Sequence, residues 1–119
     1  MSAAESRADC LFCRIVAGEI PATIVHETPN TTAFRDVDPQ APTHVLVVPR
    51  RHVPTVAALT DVAPEELAEV VRAVDEVARM EGLEGGYRTV FNTGPDAQQS
   101  VFHAHVHVLG GRAMTWPPG

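Results

Sequence analysis

Lysine is missing altogether: the nine basic residues of this 119-residue chain are all arginine. That excludes a P-loop phosphate site, a Schiff-base lysine and a lysine-nucleotidylating ligase, each of which needs an ε-amine. Long apolar runs are also lacking. The longest, Val45 to Pro49, falls far short of the roughly 20 residues that a membrane-spanning helix requires, so no membrane partner is expected. The first nine residues are polar and have no apolar core of the signal-peptide kind, which makes the cytoplasm the expected location and keeps the two cysteines reduced. Nor is there a basic stripe for a nucleic acid to follow. The net charge of −6 falls on one stretch, Asp61 to Glu84, with eight acids against two arginines, and the remainder of the chain is balanced.

What is present is enough chain for one compact unit with its own core. Residues 1–9 are expected to be a flexible tail and 10–119 a single domain. Cys10 to Ala17 carries a short helical pattern stopped by Gly18, and Thr23–Glu27 and Thr31–Arg35 read as strands around a Pro29-Asn30 turn. His44–Pro49, rich in valine, reads as a buried strand. Pro64 opens a long helix whose apolar stripe runs through Leu67, Val70, Val71, Val74, Val77 and Ala78, with Glu65 and Glu66 at its positive end and Gly82 closing it. Arg88–Asn92 and Val101–Leu109 are read as further strands joined by a polar loop. The expected fold class is α+β: an antiparallel meander of about five strands with one long and one short helix.

The informative segment is Val101-Phe-His-Ala-His-Val-His-Val-Leu109. Along a strand, His103, His105 and His107 would share one face, while Phe102, Ala104, Val106 and Val108 would face the core. A polar face of satisfied histidines is one reading. A metal site is another, but three alternate strand residues, roughly 6.5–7 Å apart, are too spread for one ion. Nucleophilic and acid–base catalysis is the third and the one favoured. An imidazole nitrogen attacks phosphorus when its other nitrogen is protonated and held, and a flanking imidazole stabilises charge or protonates the leaving group.

His-x-His-x-His followed by apolar residues resembles the signature of the histidine-triad (HIT) nucleotide hydrolases and transferases. The likeness extends to Cys-Leu-Phe-Cys-Arg-Ile, Gly-Glu-Ile-Pro21, Phe-Arg-Asp-Val-Asp-Pro-Gln-Ala-Pro-Thr-His44 and Gln-Ser-Val-Phe-His103. Leu-Gly-Gly-Arg at 109–112 and Trp-Pro-Pro-Gly119 resemble the purine nucleoside phosphoramidase branch. The resemblance implies a HIT-like dimer with a continuous sheet, hydrolysing purine nucleoside 5′-monophosphoramidates through a nucleotidyl-histidine on His105. It implies His107 at the phosphate and the departing amine, Asn92 and Ser100 positioning the phosphate and leaving group, and Asp36 on the ribose hydroxyls. Leu11, Phe12, Ile15, Phe34, Arg35, Val37 and Leu46 would surround the purine. Alternatives are a dinucleoside polyphosphate hydrolase or nucleotidyl transferase of the same family, and a zinc-stabilised nucleotide-binding or scaffold module. Gln98 stands where relatives often have glycine, a departure in the loop before Ser100.

Cys10-x-x-Cys13 can be a redox pair, half a zinc site or packing. The resemblance to bacterial relatives implies a structural Zn²⁺ on Cys10, Cys13, His52 and His103, although relatives with the Trp-Pro-Pro-Gly ending commonly lack the second cysteine. No catalytic metal or organic cofactor is expected, because no acidic cluster for magnesium lies near the histidines. His44, at the head of the buried strand, is read as a hydrogen-bonding residue near the site, and His26 as a surface residue.

Overall fold

The computed structural model describes residues 7–119; the tail expected at 1–9 lies outside them for residues 1–6. The chain runs α1 (Leu11–Val16), β1 (Ile24–Thr28), β2 (Thr31–Arg35), β3 (Thr43–Pro49), α2 (Val56–Val62), α3 (Pro64–Met80), β4 (Tyr87–Val90), a 3₁₀ turn at Pro95–Ala97, and β5 (Val106–Gly110). The five strands form one antiparallel sheet in the order β1-β2-β3-β5-β4, an α+β fold.

Strand alternation sorts the core into two layers. Ala33, Val45, Val47, Val106 and Val108 face α3 and pack with Leu59, Val70, Ala73, Val74 and Val77. Phe34, Leu46 and Val48 point the other way, toward Cys10, Phe12 and Cys13 of the α1 segment. β3 is covered on both faces and buried at all seven positions, which is why it reads as a continuous apolar run. Glu69 of α3 ties the helix to the β1–β2 hairpin: it accepts from Asn30 N at 2.7 Å, from Asn30 Nδ2 at 3.1 Å and from the Thr28 hydroxyl.

Two expectations need correction. A helix is present that the sequence reading left out, α2, making two short helices and one long one. Its seven residues, Val56-Ala-Ala-Leu-Thr-Asp-Val62, make about two turns, too few to display a helical period of their own. Thr55 caps it, its Oγ1 accepting from Ala58 N at 3.1 Å. The second correction concerns the histidine segment. Only residues from Val106 onward are strand, and Phe102, expected in the core, is 57% exposed. Residues 99–104 are held instead against the 53–54 segment. Ala104 N donates to Val53 O at 2.8 Å, and Gln99 Nε2 donates to Pro54 O at 2.7 Å and Val101 O at 3.1 Å. The chain therefore bends before it enters the sheet.

Candidate functional site

That bend separates the three histidines. His103 is fully buried and turned to the cysteines, whereas the His105 and His107 rings lie together, centroids 5.1 Å apart. His103 Nε2–H donates to Pro49 O at 2.7 Å, so in the neutral ring Nδ1 carries the lone pair. That nitrogen lies 3.5 Å from both Cys10 Sγ and Cys13 Sγ, and His52 Nδ1 lies 3.4 Å from Cys13 Sγ. The four donor atoms all fall within 4.8 Å of one another. Zinc at about 2.3 Å from sulfur and about 2.0–2.1 Å from nitrogen spaces a tetrahedral S–N edge at roughly 3.5 Å, which this donor set matches. Burial pushes the Cys13 thiol up to about 11, with Cys10 beside it adding to the effect. Burial drives His103 down to about 4, and the Pro49 carbonyl only partly opposes it.

The other two histidines open onto a cleft of about 380 Å³. Leu11, Phe12, Ile15, Phe34 and Leu46 form its apolar wall, with Arg35, Asp36, Val37, Ser100, Val101, His105 and His107 around it. Phe12, carried between the two cysteines, meets Phe34, His103 and His105 edge-on, with centroids 5.5, 6.0 and 5.0 Å apart respectively. Val37 stands on the rim, 99% exposed. Arg35 also lies at the edge, and its guanidinium is spent on a bidentate pair with Glu81 at 2.8 and 3.0 Å. Asp36 does two things at once: Oδ1 accepts from Asp38 N at 2.8 Å, closing a turn, and Oδ2 lies 3.5 Å from His44 Nε2. Asn92 is half-buried beyond β4 and is not among the residues lining the cleft.

His105 Nδ1–H donates to its neighbour's carbonyl, His103 O, at 2.7 Å, which leaves Nε2 with the lone pair. Burial lowers its pKa, against the opposing pull of that carbonyl and of Asp36, so the ring is held toward its neutral form. A neutral imidazole with a bare, oriented nitrogen inside an apolar cleft is a nucleophile or base. The loop before it is fixed by Gln99, whose Oε1 accepts from Gly94 N at 2.9 Å. Sequence reasoning gave Gln99 no role, since its hydrogen bonds join segments far apart in the chain. The head of β3 matters too: His44 Nε2 is 2.8 Å from His107 Nδ1. His107 pairs with Leu46 across β3 and β5, so His44 is its diagonal neighbour on the same face.

These features define a class of small antiparallel domain: paired imidazoles beside an apolar slot, with a two-cysteine, two-histidine donor set behind them. The chain belongs to the HIT family, whose HIT domain model matches residues 17–114. It is 47% identical over 111 residues to an uncharacterised HIT-like protein of Synechococcus elongatus, covering 93% of this chain and 97% of that one. It is equally 47% identical, over 115 residues, to a 14 kDa zinc-binding protein of Zea mays, covering 92% and 87%. The crystal structure of a HIT family hydrolase from Legionella pneumophila superposes with a TM-score of 0.89 at 52% identity, covering 93% of this chain and all of that one.

Proposed function

We propose that the protein hydrolyses purine nucleoside 5′-monophosphoramidates. The observation that carries this is His105: its Nδ1–H is tied to a carbonyl and its Nε2 is left bare in a cleft with an apolar wall on one side and Asp36 on the other. The purine would lie between Ile15, Phe34 and Leu46, with Asp36 accepting from the ribose hydroxyls. His105 Nε2 attacks phosphorus; the new P–N bond forms as the bond to the amine breaks, and the electron pair stays on the amine nitrogen. That nitrogen takes up its proton from solvent entering past His107, whose Nε2–H hydrogen-bonds the phosphoryl oxygens and guides the transfer without losing its own proton. Water then cleaves the nucleotidyl-histidine, releasing the nucleoside monophosphate and restoring His105. Ser100, at the cleft edge, would hold the phosphate or leaving group together with Asn92.

Cys10, Cys13, His52 and His103 would hold a structural zinc, which supplies a cross-link between α1, the segment after β3 and the histidine segment. The cysteines are free thiols, in keeping with a cytoplasmic protein. No helix among the described residues is long and apolar enough to cross a membrane. β4 is a sheet edge with Tyr87 exposed on it and Phe91 exposed just after it, and Trp116 in the C-terminal tail is 82% exposed. A second copy pairing along β4 would continue the sheet and cover these rings.

His105→Ala assayed with an adenosine 5′-phosphoramidate tests the reading. Turnover should fall to background while AMP binding persists; retained turnover would remove His105 as nucleophile. Metal analysis of wild type and Cys13→Ser tests the zinc, with about one equivalent against almost none expected. Light scattering before and after Phe91→Arg tests the dimer. A metal-loaded protein that binds AMP yet turns over no phosphoramidate would favour the zinc-stabilised scaffold reading.

A further inference from the structure

His44 is not part of the His-x-His-x-His run, yet its buried ring is bonded at both nitrogens. The backbone N–H of Gln40 donates to Nδ1 at 3.0 Å, so Nδ1 carries the lone pair and, in the neutral ring, the proton sits on Nε2. Nε2 lies 2.8 Å from His107 Nδ1 and 3.5 Å from Asp36 Oδ2. The shorter contact takes the proton, and the carboxylate is left as the looser neighbour. His107 Nδ1 therefore accepts, and its own proton must sit on Nε2, the nitrogen without a protein partner among the described residues.

The two cleft histidines thus have opposite polarity. His105 gives its Nδ1–H to a carbonyl and keeps a lone pair on Nε2; His107 receives a hydrogen bond at Nδ1 and keeps a proton on Nε2. We propose that His44 is a positioning residue that sets this difference: standing between Asp36 and His107, it offers His107 a donor where the carboxylate would offer an acceptor, and so keeps His107 an N–H donor toward the phosphoryl group. The proposal rests on the phosphoramidase reading for the identity of that group.

The reason lies in what would replace His44. Donor atoms of Asp36, His44 and His107 all lie within 4.8 Å of one another. Without the His44 N–H, the carboxylate becomes the acceptor nearest to His107 and draws its proton to Nδ1, as carboxylates do to imidazoles they orient. A lone pair would then face the anionic phosphate, and both cleft histidines would compete as nucleophiles with neither donating. Burial first, then the neighbouring rings of His105 and His44, push His107 down to about 4, so near neutrality only one of its nitrogens is protonated. The same three side chains have the composition of a metal triad, but their hydrogen bonds oppose one. A cation on His44 Nε2 would force the proton onto Nδ1, head-on with the Gln40 N–H.

Long-range ¹H–¹⁵N correlation spectra of histidine-labelled protein read each ring's tautomer directly. Wild type should show the His107 proton on Nε2 and the His105 proton on Nδ1. His44→Gln keeps an amide donor and should preserve the His107 tautomer, with kcat within about threefold; His44→Glu presents an acceptor, should move the proton to Nδ1, and should lower kcat by about 10²-fold, the cost typical of one misdirected oxyanion donor, with KM moving much less. Wild-type His107 protonated on Nδ1, or equal kcat for the Gln and Glu variants, would overturn the proposal. Should His44→Glu fail to fold, the wild-type and His44→Gln spectra still decide. The spectra do not depend on turnover, so failure of the phosphoramidase reading would be seen separately, as wild type inactive on the phosphoramidate with its tautomers unchanged.

Discussion

Phe12→Ala removes the side chain that joins the cysteine–histidine cluster to the cleft. Its ring is buried, belongs to the layer with Phe34, Leu46 and Val48, and meets three other rings edge-on. Truncating a buried phenylalanine costs about 3–5 kcal/mol through lost transfer energy and the cavity left behind. An edge-on aromatic pair adds about 0.5–1.5 kcal/mol beyond buried area, and the Phe34 pair disappears outright. Because one side of Phe12 lines an open cleft rather than a closed core, water can enter the vacated space, and the lower part of the range, about 3 kcal/mol, is expected. For a chain of this length that corresponds to a drop in Tm of roughly 12 °C. Urea unfolding of zinc-saturated wild type and variant gives the difference, and AMP titration should show affinity reduced at least tenfold, because the purine loses its wall. Phe12→Leu, which keeps most of the volume, should recover over half of the stability. A loss under about 1 kcal/mol with AMP affinity unchanged would refute the view that Phe12 couples cluster and cleft.

Glu69→Gln keeps the shape but replaces one acceptor oxygen by a donor facing the Thr28 and Asn30 donors; a loss of about 2 kcal/mol is expected by chemical denaturation, since a hydrogen bond to a charged group is worth about 1.5–3 kcal/mol. Although burial opposes it, these hydrogen bonds hold the Glu69 carboxyl below its ordinary 4.5, so its stabilising contribution is full above that value and is lost as the pH falls beneath it; the Gln variant should lack this acid-limb slope. His107 acts with the same sign in a higher pH window. Its folded value of about 4 lies below the ordinary 6.5, so the unfolded chain binds the extra proton first, and stability should decline as the pH falls from about 6.5 toward 4, by at most about 3 kcal/mol and less for its partial exposure. His107→Gln should flatten that segment of the stability–pH curve. Gln98 adopts a left-handed backbone, with φ of 66°, which a side chain tolerates poorly; Gln98→Gly should be better tolerated than Ala97→Gly by about 1 kcal/mol in thermal unfolding.

Much of the frame is legible one residue at a time. β2 and β3 are bounded by Pro29-Asn30, Pro42 and Arg50, and a valine run buried on both faces needs no partner to be recognised. Pro64, the apolar stripe and Gly82 bracket α3 for the same local reasons. Where reading along the chain failed, the deciding contacts were remote in sequence. A strand through Val101–Leu109 is a fair inference from alternation. Alternation cannot reveal that Gln99 and Ala104 are hydrogen-bonded to Pro54 and Val53, which delays the start of the strand to Val106 and leaves Phe102 exposed. α2 escaped because its seven residues are stabilised by a Thr55 cap and by packing on α3 rather than by propensity.

Composition alone settles which reactive side chains the site can draw on. With no lysine, six histidines and its acidity confined to one helix-bearing stretch, the chain had to use imidazole, and the His-x-His-x-His run declared where. It could not determine what each imidazole does, because a ring's chemistry follows from what holds its far nitrogen. The Pro49 carbonyl turns His103 toward two sulfurs, the His103 carbonyl bares His105 Nε2, and His44 places a proton on His107 Nε2. Those partners lie from 2 to 63 residues away along the chain. Only the folded sheet brings them within hydrogen-bonding distance and so gives three histidines of one motif three different states.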